Sequence, residues 1–345
     1  MKPNLILLTN QFPGISSRAE SWLLDEIKLT HDYYDTIFIV TDKYEASNFE
    51  LTKNCVVKDI YRNDDVKLSI SELMNSLKIV LSDFPYYGNK LVFFKSFRYN
   101  LSLIKQLHLK AKIIGGYKEW FKPNSIVYSY WADNLATTAS ILVQKYRKHC
   151  KNVTRGHGYE IFEEQTRNNM VPFRKFQYQY LNKIFADSKN GCSHLNSRIQ
   201  FEKYRSKNDL AYVGTKDCGV GTFNENEFTI ATCSVIRNIK RLDLLPGILK
   251  NITFNMTWHV LGDGPDLEKL KVLNKELPIN IKVIYHGFVK NEDIFKFYKN
   301  TSVNLLVSLS YSEGLPVSMM EAQSFGIPIM STDVGGCSEI CSNET

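Results

Sequence analysis

The sequence predicts an α/β protein of two doubly wound, Rossmann-like domains, each on a parallel sheet. Three observations carry this expectation. Short apolar, β-branched runs alternate with longer helical patterns almost throughout. The alternation breaks once, at the polar stretch Ser206 to Glu227 with Gly214, Gly219 and Gly221. The length is 345 residues, about two domains at roughly 100–200 residues each.

The first domain is expected over 1–205, with 206–227 as the linker and 228–345 as the second domain. In the first, strands are expected at Asn4–Thr9, Thr36–Thr41, Cys55–Ile60, Ile126–Tyr130, Asn152–Arg155 and Lys183–Ser188. Helices are expected between them at Arg18–His31, Ile70–Ser82, Leu91–Leu109, Asn134–Arg147 and Asn190–Tyr204. In the second domain, strands are expected at Phe228–Ser234, Thr257–Leu261, Ile281–Tyr285, Val303–Ser308 and Pro328–Thr332. Its helices are expected at Leu242–Asn251, Pro265–Glu276, Glu292–Lys299 and Pro316–Phe325. Strand–helix alternation of this kind implies parallel sheets covered on both faces. Two such domains facing a cleft form the architecture called GT-B, with ligands beyond the carboxyl ends of the strands.

Composition narrows the function classes. The chain is 43% hydrophobic and 23% charged, and its 18 Gly and 10 Pro follow no period; global disorder and low-complexity classes are excluded. No run reaches about 18 apolar residues, so no transmembrane helix is expected. The apolar start, Leu5 to Leu8, is too short for a signal peptide. Seven Cys are scattered without a C-x-x-C pair, which suits free thiols in a reducing cytoplasm rather than zinc or a disulfide scaffold.

The most informative segment runs Ser310-Tyr-Ser-Glu-Gly-Leu-Pro-Val-Ser-Met-Met-Glu-Ala-Gln-Ser-Phe-Gly-Ile-Pro-Ile329. Glu313 precedes a helix whose first turn is expected to hold Pro316, a favoured early position. Gly314 permits close backbone approach to a ligand. The unpaired amides of that turn would form an anion site suited to a diphosphate, with Leu315, Pro316 and Val317 as donor-binding positions. Glu321 lies eight residues after Glu313, where a carboxylate can accept hydrogen bonds from the paired hydroxyls of a ribose. Two carboxylates flanking an anion-binding helix start describe a sugar nucleotide.

This segment resembles the Glu-x7-Glu signature of glycosyltransferase family 4, the retaining GT-B transferases. The resemblance continues through Ser331-Thr-Asp-Val-Gly-Gly-Cys-Ser-Glu-Ile340, similar to the family's strand and Gly-Gly loop. Cys233-Ser-Val-Ile-Arg-Asn-Ile-Lys-Arg241 resembles the strand and basic loop that contact the donor diphosphate. Lys240 matches the basic position. The Arg that many members carry about five residues earlier is Val235 here, with Arg237 nearest. Val260-Leu-Gly-Asp-Gly-Pro265 resembles a G-x-G-P turn, in which Gly262 borders the nucleobase or simply makes a tight turn.

In the first half, Asn10-Gln-Phe-Pro-Gly14 and the helix after it resemble the opening loop of these enzymes, with Gly14 against the donor. Thr154-Arg-Gly-His-Gly-Tyr-Glu160 resembles the family's R-x-H-G-Y-D strand end, with Glu160 in place of Asp. The resemblance implies that His157 reaches the reacting sugar and that Arg155 and Ser188 lie on the acceptor side. It implies catalytic roles for His157, Glu313 and Lys240, with donor contacts from Arg237, Lys240, Gly262, Glu313, Gly314 and Glu321. No D-x-D occurs, so no metal is expected on the diphosphate; Lys240 and a helix dipole would stabilise the leaving group.

The net charge of +7 comes from 43 basic and 36 acidic residues. Between Gly88 and Lys122 lie eight basic residues, Lys90, Lys95, Arg98, Lys105, Lys110, Lys112, Lys118 and Lys122, against Glu119 alone. The rest of the chain balances. Phe94, Phe97, Leu101 and Ile104 fall at helical spacing, so the window reads as a helix with one face in the core. A membrane-surface patch is the competing reading, at roughly 1 kcal/mol per Lys or Arg near an anionic leaflet. Nucleic acid is not expected.

The resemblance thus implies a cytoplasmic, metal-independent, retaining transferase without a cofactor. It would move a sugar from a nucleoside diphosphate donor to a glycan or lipid-linked acceptor in polysaccharide or lipopolysaccharide biosynthesis. A GT-B sugar-nucleotide epimerase is one alternative. Members of the family usually continue past the Gly-Gly loop, so the second domain is expected to be incomplete at Thr345. A donor-binding protein without activity is therefore the other alternative.

Overall fold

The computed structural model describes residues 2–12, 21–44, 51–60, 66–86, 90–166, 169–224 and 227–341. The chain divides into two compact units, one of residues 1–187 and 192–211, the other of 188–191 and 212–345. Both are parallel α/β units, as the alternation predicts.

The first unit runs β1 (Leu5–Phe12), α1 (Ser21–Thr30), β2 (Ile37–Tyr44), β3 (Cys55–Asp59), α2 (Ile70–Asp83), α3 (Lys90–Gly116), β4 (Ile126–Ser129) and α4 (Asn134–Ile141). It continues β5 (Lys151–Gly156), α5 (Arg174–Tyr180), β6 (Lys183–Ala186), α6 (Lys189–Ser197) and β7 (Asn208–Leu210). Its seven strands lie in the order β3-β2-β1-β4-β5-β6-β7, all pairs parallel. Ile6, Val127 and Ile104 pack in a core on one face, and Leu5, Leu7 and Ile27 in a core on the other. A parallel sheet needs this double cover, because each strand buries both rows of side chains.

The second unit runs β8 (Phe228–Cys233), α7 (Leu245–Leu249), β9 (Met256–Leu261), α8 (Leu267–Asn274), β10 (Ile281–Gly287), α9 (Asn291–Asn300), β11 (Leu305–Ser308), α10 (Val317–Gln323) and β12 (Ile329–Ser331). Its strand order is β10-β9-β8-β11-β12, again parallel. Trp258 is fully buried on β9, and its Nε1 donates to Thr232 Oγ1 on β8 at 3.1 Å. Trp258 and Leu270 belong to one face of the sheet, Tyr298, Met319 and Phe325 to the other.

Four expectations need correction. The linker begins later than predicted, because Asn208–Leu210 forms β7 and pairs with β6. Its polar residues carry no apolar alternation, as suits a short edge strand. α5 was not anticipated. It is seven residues long and buries Arg174 and Gln177 together with Phe176 and Tyr178, so polar and apolar residues mix inside it without a clear apolar stripe. The helix expected over 134–147 stays α-helical only to Ile141 and widens into a π turn over Leu142–Tyr146. Tyr146 thereby packs on Gly115, where a Cβ would lie 2.9 Å from it, and its hydroxyl donates to Glu72 Oε1 at 2.5 Å. The helix expected over 190–204 ends at Ser197 and continues as a 3-10 turn.

The basic window is one helix, α3, and its inward face follows the expectation except at its start. Ile104 is buried, and Phe97 and Leu101 pack against the core. Phe94 is 64% exposed, and Phe93 is buried in its place.

Candidate functional site

Strand order alone points to where each unit binds ligand. In the second sheet the chain reverses its direction of growth between β8 and β11. In open α/β sheets the loops after such a pair of strands form the ligand crevice. Those loops hold Lys240 and Glu313.

After β8 the chain makes a 3-10 turn, Asn238–Lys240. After β11 the loop to α10 is bound to it: Tyr311 N donates to Ile239 O at 2.7 Å. Across this junction Lys240 Nζ meets Glu313 Oε1 at 2.5 Å, with both side chains mostly buried. An ammonium carries three donors, so a pair with one carboxylate oxygen does not exhaust its capacity for an anion. Arg241 locks the arrangement. Its Nε donates to Leu309 O at 2.8 Å, and its own backbone is left-handed at φ 47°, a costly conformation for a residue with a Cβ.

Glycines bring the remaining backbone close. Gly335 has φ 57°, and a Cβ there would stand 1.8 Å from Glu313 O. Gly336 N donates to Gly314 O at 2.7 Å. Gly262, at φ 144°, would place a Cβ 1.9 Å from Ser234 O, so it holds the loop after β9 against the loop after β8. That packing role is structural, whatever else the residue borders.

The helix after Glu313 differs from expectation. α10 starts at Val317, with Pro316 before it in an extended conformation at ψ 101°. Leu315, Pro316 and Val317 all bury their side chains, so only backbone of this stretch can meet a ligand. Glu321 lies on the inward face of α10, 4% exposed. Burial pushes its carboxyl up to about 7, opposed by a hydrogen bond from Asn291. Arg237 is exposed, and among the described residues it makes no side-chain hydrogen bond or ion pair.

In the first sheet the corresponding reversal lies between β1 and β4. Gly14, which follows β1 in the sequence, falls outside the described residues. The loops after β4 and β5 carry a connected set of polar groups. His157 stands between the rings of Tyr130 and Trp131, at centroid distances of 5.0 and 4.7 Å. Its Nδ1 lies 3.3 Å from Glu160 Oε1. The fully buried Glu160 carboxylate also accepts from the backbone N–H groups of His157, at 3.0 Å, and Gly158, at 3.1 Å. Held this way, Nδ1 faces the Glu160 carboxylate, and Nε2 has no hydrogen-bond partner among the described residues. Glu160, in the place of an Asp, reaches back over its own loop.

Arg155 and Ser188 have structural partners. Arg155 NH2 pairs with Glu26 of α1 at 4.0 Å. Ser188 is buried, and its Oγ accepts from Gly191 N at 3.1 Å, a helix cap at the start of α6.

Sequence reasoning missed four contributors. Arg241 stood in a recognised segment without a role. Asn291 donates to Glu321 but sits among charged residues that look like any solvated helix start. Tyr130 and Trp131 follow β4 directly, and an aromatic pair at a strand end was the signal that could have marked them.

Comparison with known proteins places the chain among glycosyltransferase relatives by likeness. A lipopolysaccharide 1,6-galactosyltransferase of Salmonella typhimurium is 35% identical over 91 residues, 26% of this chain and 25% of that enzyme. The Escherichia coli protein of the same description is 37% identical over 105 residues, 28% and 27% of the two chains. The match thus spans about a quarter of these relatives' length. Among solved structures, Anabaena HepE in complex with UDP and glucose superposes with a TM-score of 0.67 at 16% identity, covering 98% of this chain and 83% of that one. This likeness establishes the two-unit fold, that of the GT-B transferases. Residues 216–345, which include β8 to β12 and both loops that join at Lys240 and Glu313, match the family described as glycosyl transferases group 1.

Proposed function

We propose that this chain is a retaining, metal-independent glycosyltransferase of family 4 type. It takes a sugar from a nucleoside diphosphate and passes it to a glycan or lipid-linked acceptor in lipopolysaccharide or other polysaccharide assembly. The observation that carries the proposal is the Lys240–Glu313 pair at the β8/β11 reversal, with Glu321 on the helix that follows. The similarity to lipopolysaccharide galactosyltransferases supports the polysaccharide context.

Each group has a chemical task in this reading. Lys240 supplies positive charge to the diphosphate as it leaves. Gly314, Gly335 and Gly336 bring backbone near it. Glu321 accepts hydrogen bonds from the ribose hydroxyls. His157 Nε2 accepts from a hydroxyl of the transferred sugar. The bond from C1 to the diphosphate oxygen breaks as the acceptor oxygen bonds to C1 on the same face. The acceptor proton passes to the departing phosphate oxygen, so no protein nucleophile is required.

Incubation with a nucleoside diphosphate sugar and a glycan acceptor tests this. The expected product keeps the anomeric configuration of the donor, and chelator leaves the rate unchanged. An inverted product, a covalent glycosyl-enzyme intermediate on the reaction path, or an epimerised donor formed without acceptor would each refute the mechanism.

One observation favours a membrane contact as well. α3 exposes Leu91, Phe94 and Tyr99 beside Lys90, Lys95 and Arg98, and α2 exposes Ile70, Met74 and Leu81. Among the described residues no helix is long and apolar enough to cross a membrane. We propose that this face lies on the anionic cytoplasmic surface where a lipid-linked acceptor resides, a reading that cosedimentation with lipid vesicles checks.

A further inference from the structure

Glu321 is a buried carboxyl that pairs with no cation among the described residues. Among them, one side chain hydrogen-bonds it: Asn291, the first residue of α9, whose Nδ2 donates to Oε1 at 2.6 Å. Asn291 is itself only partly buried. The pair therefore joins the start of α9 to the inward face of α10.

We propose that Asn291 is the positioning residue for Glu321. Its amide fixes the carboxylate as a double acceptor for the two adjacent hydroxyls of a ribose, and so sets the pH range and the ribose preference of nucleotide binding. The inference rests on the proposal that the second unit takes a nucleoside diphosphate.

The hydrogen bond acts in two parts. The first is geometric. A Glu side chain has three rotatable bonds, and ordering it on binding costs conformational entropy. A hydrogen bond already in place removes much of that cost. With Nδ2 spent on Oε1, the amide stiffens one carboxylate oxygen and leaves the diol to bridge the carboxylate.

The second part is protonation. A carboxylate accepts at both oxygens, whereas a carboxylic acid has one of them converted to a donor. Burial holds the Glu321 carboxyl near 7, and the Asn291 donor is the group that works against burial. The other titratable group facing it is the Tyr298 hydroxyl of α9, which also faces Cys233 at the end of β8. Burial keeps that phenol far above its ordinary range and hence uncharged. On α10 itself, and on β11 and β12 that pack against it, no other side chain titrates. Removing the Asn291 donor therefore leaves burial unopposed and raises the Glu321 midpoint.

The test is titration calorimetry with UDP, GDP, ADP and CMP between pH 6 and 9, on the unaltered chain, Glu321→Gln, Asn291→Asp, Asn291→Ala and Asn291→Gln. Thermal melts confirm that each variant folds. The unaltered chain should lose affinity as pH falls through about 7. In Asn291→Ala the midpoint should move up, and each pH unit of movement lowers affinity in the acid arm about tenfold. Asn291→Asp, which sets a second carboxylate against the first, should move it further. Asn291→Gln, which keeps the donor on a longer arm, should recover part of the loss. The 2′-deoxy nucleotide should bind the unaltered chain more weakly, and Asn291→Asp should erase that difference.

The failures are distinguishable. If no nucleotide binds the unaltered chain, the proposed function falls and this inference with it. If a nucleotide binds and Glu321→Gln weakens it, while folded Asn291→Ala and Asn291→Asp keep the same affinity, midpoint and ribose preference, this inference alone is overturned.

Discussion

Single residues in the second unit show where stability yields to chemistry. Glu321 is held in a site whose burial raises its carboxyl to about 7, from an ordinary 4.5. The folded chain then binds a proton there that the unfolded chain has released. Stability from this group is full below about pH 4.5 and is lost as pH rises through about 7. Glu321→Gln should therefore stabilise the unliganded protein at pH 8, by up to the order of 3 kcal/mol. The gain should vanish near pH 4. Chemical denaturation at the two pH values measures it, and an equal effect at both would mean that the carboxyl is not titrating in its site. Such a liability has a reason only if the ionised form is used. The Glu-x7-Glu spacing made Glu313 and Glu321 legible in the sequence. Asn291 was not, because a hydrogen bond between two helices leaves no local pattern. His157 was legible by its flanking glycines; its contact with the Glu160 carboxylate was not.

At the scale of elements, periodicity located nearly every strand, because a parallel strand buried on both faces is a continuous apolar run. It failed where burial is partly polar and the element short. α5 buries Arg174 and Gln177 beside Phe176 and Tyr178, and β7 is made of half-buried Asn208, Asp209 and Leu210. In α3 the core took Phe97, Leu101 and Ile104 of the expected stripe but Phe93 in place of Phe94, which is left outside among cations. Exposed aromatics beside Lys and Arg are what an anionic lipid surface attracts. The protein should sediment with vesicles containing anionic lipid and be released by high salt. Phe94→Ser with Lys95→Glu, both exposed, should weaken binding without lowering the melting temperature. Equal binding to neutral vesicles, or no effect of the double substitution, would reduce the face to solvated surface.

For the molecule as a whole, the informative feature is topological. Each sheet reverses its direction of growth once, between β1 and β4 and between β8 and β11. Every group given a chemical role in the second unit lies in, or directly after, a loop at the carboxyl end of a strand. The same holds for His157 in the first. Alternation of strands and helices in the sequence predicted the two sheets. It could not specify strand order, which fixes Lys240 beside Glu313 although they are 73 residues apart in the chain. The central claim is that this junction binds a nucleoside diphosphate. Thermal unfolding with UDP, GDP, ADP and CMP, for the unaltered chain, Lys240→Ala and Glu321→Ala, tests it most directly. One nucleoside diphosphate at about 100 times its Kd should add about 2.7 kcal/mol to the unaltered chain and far less to either variant. No shift with any nucleotide, or the same shift in all three proteins, would contradict the account.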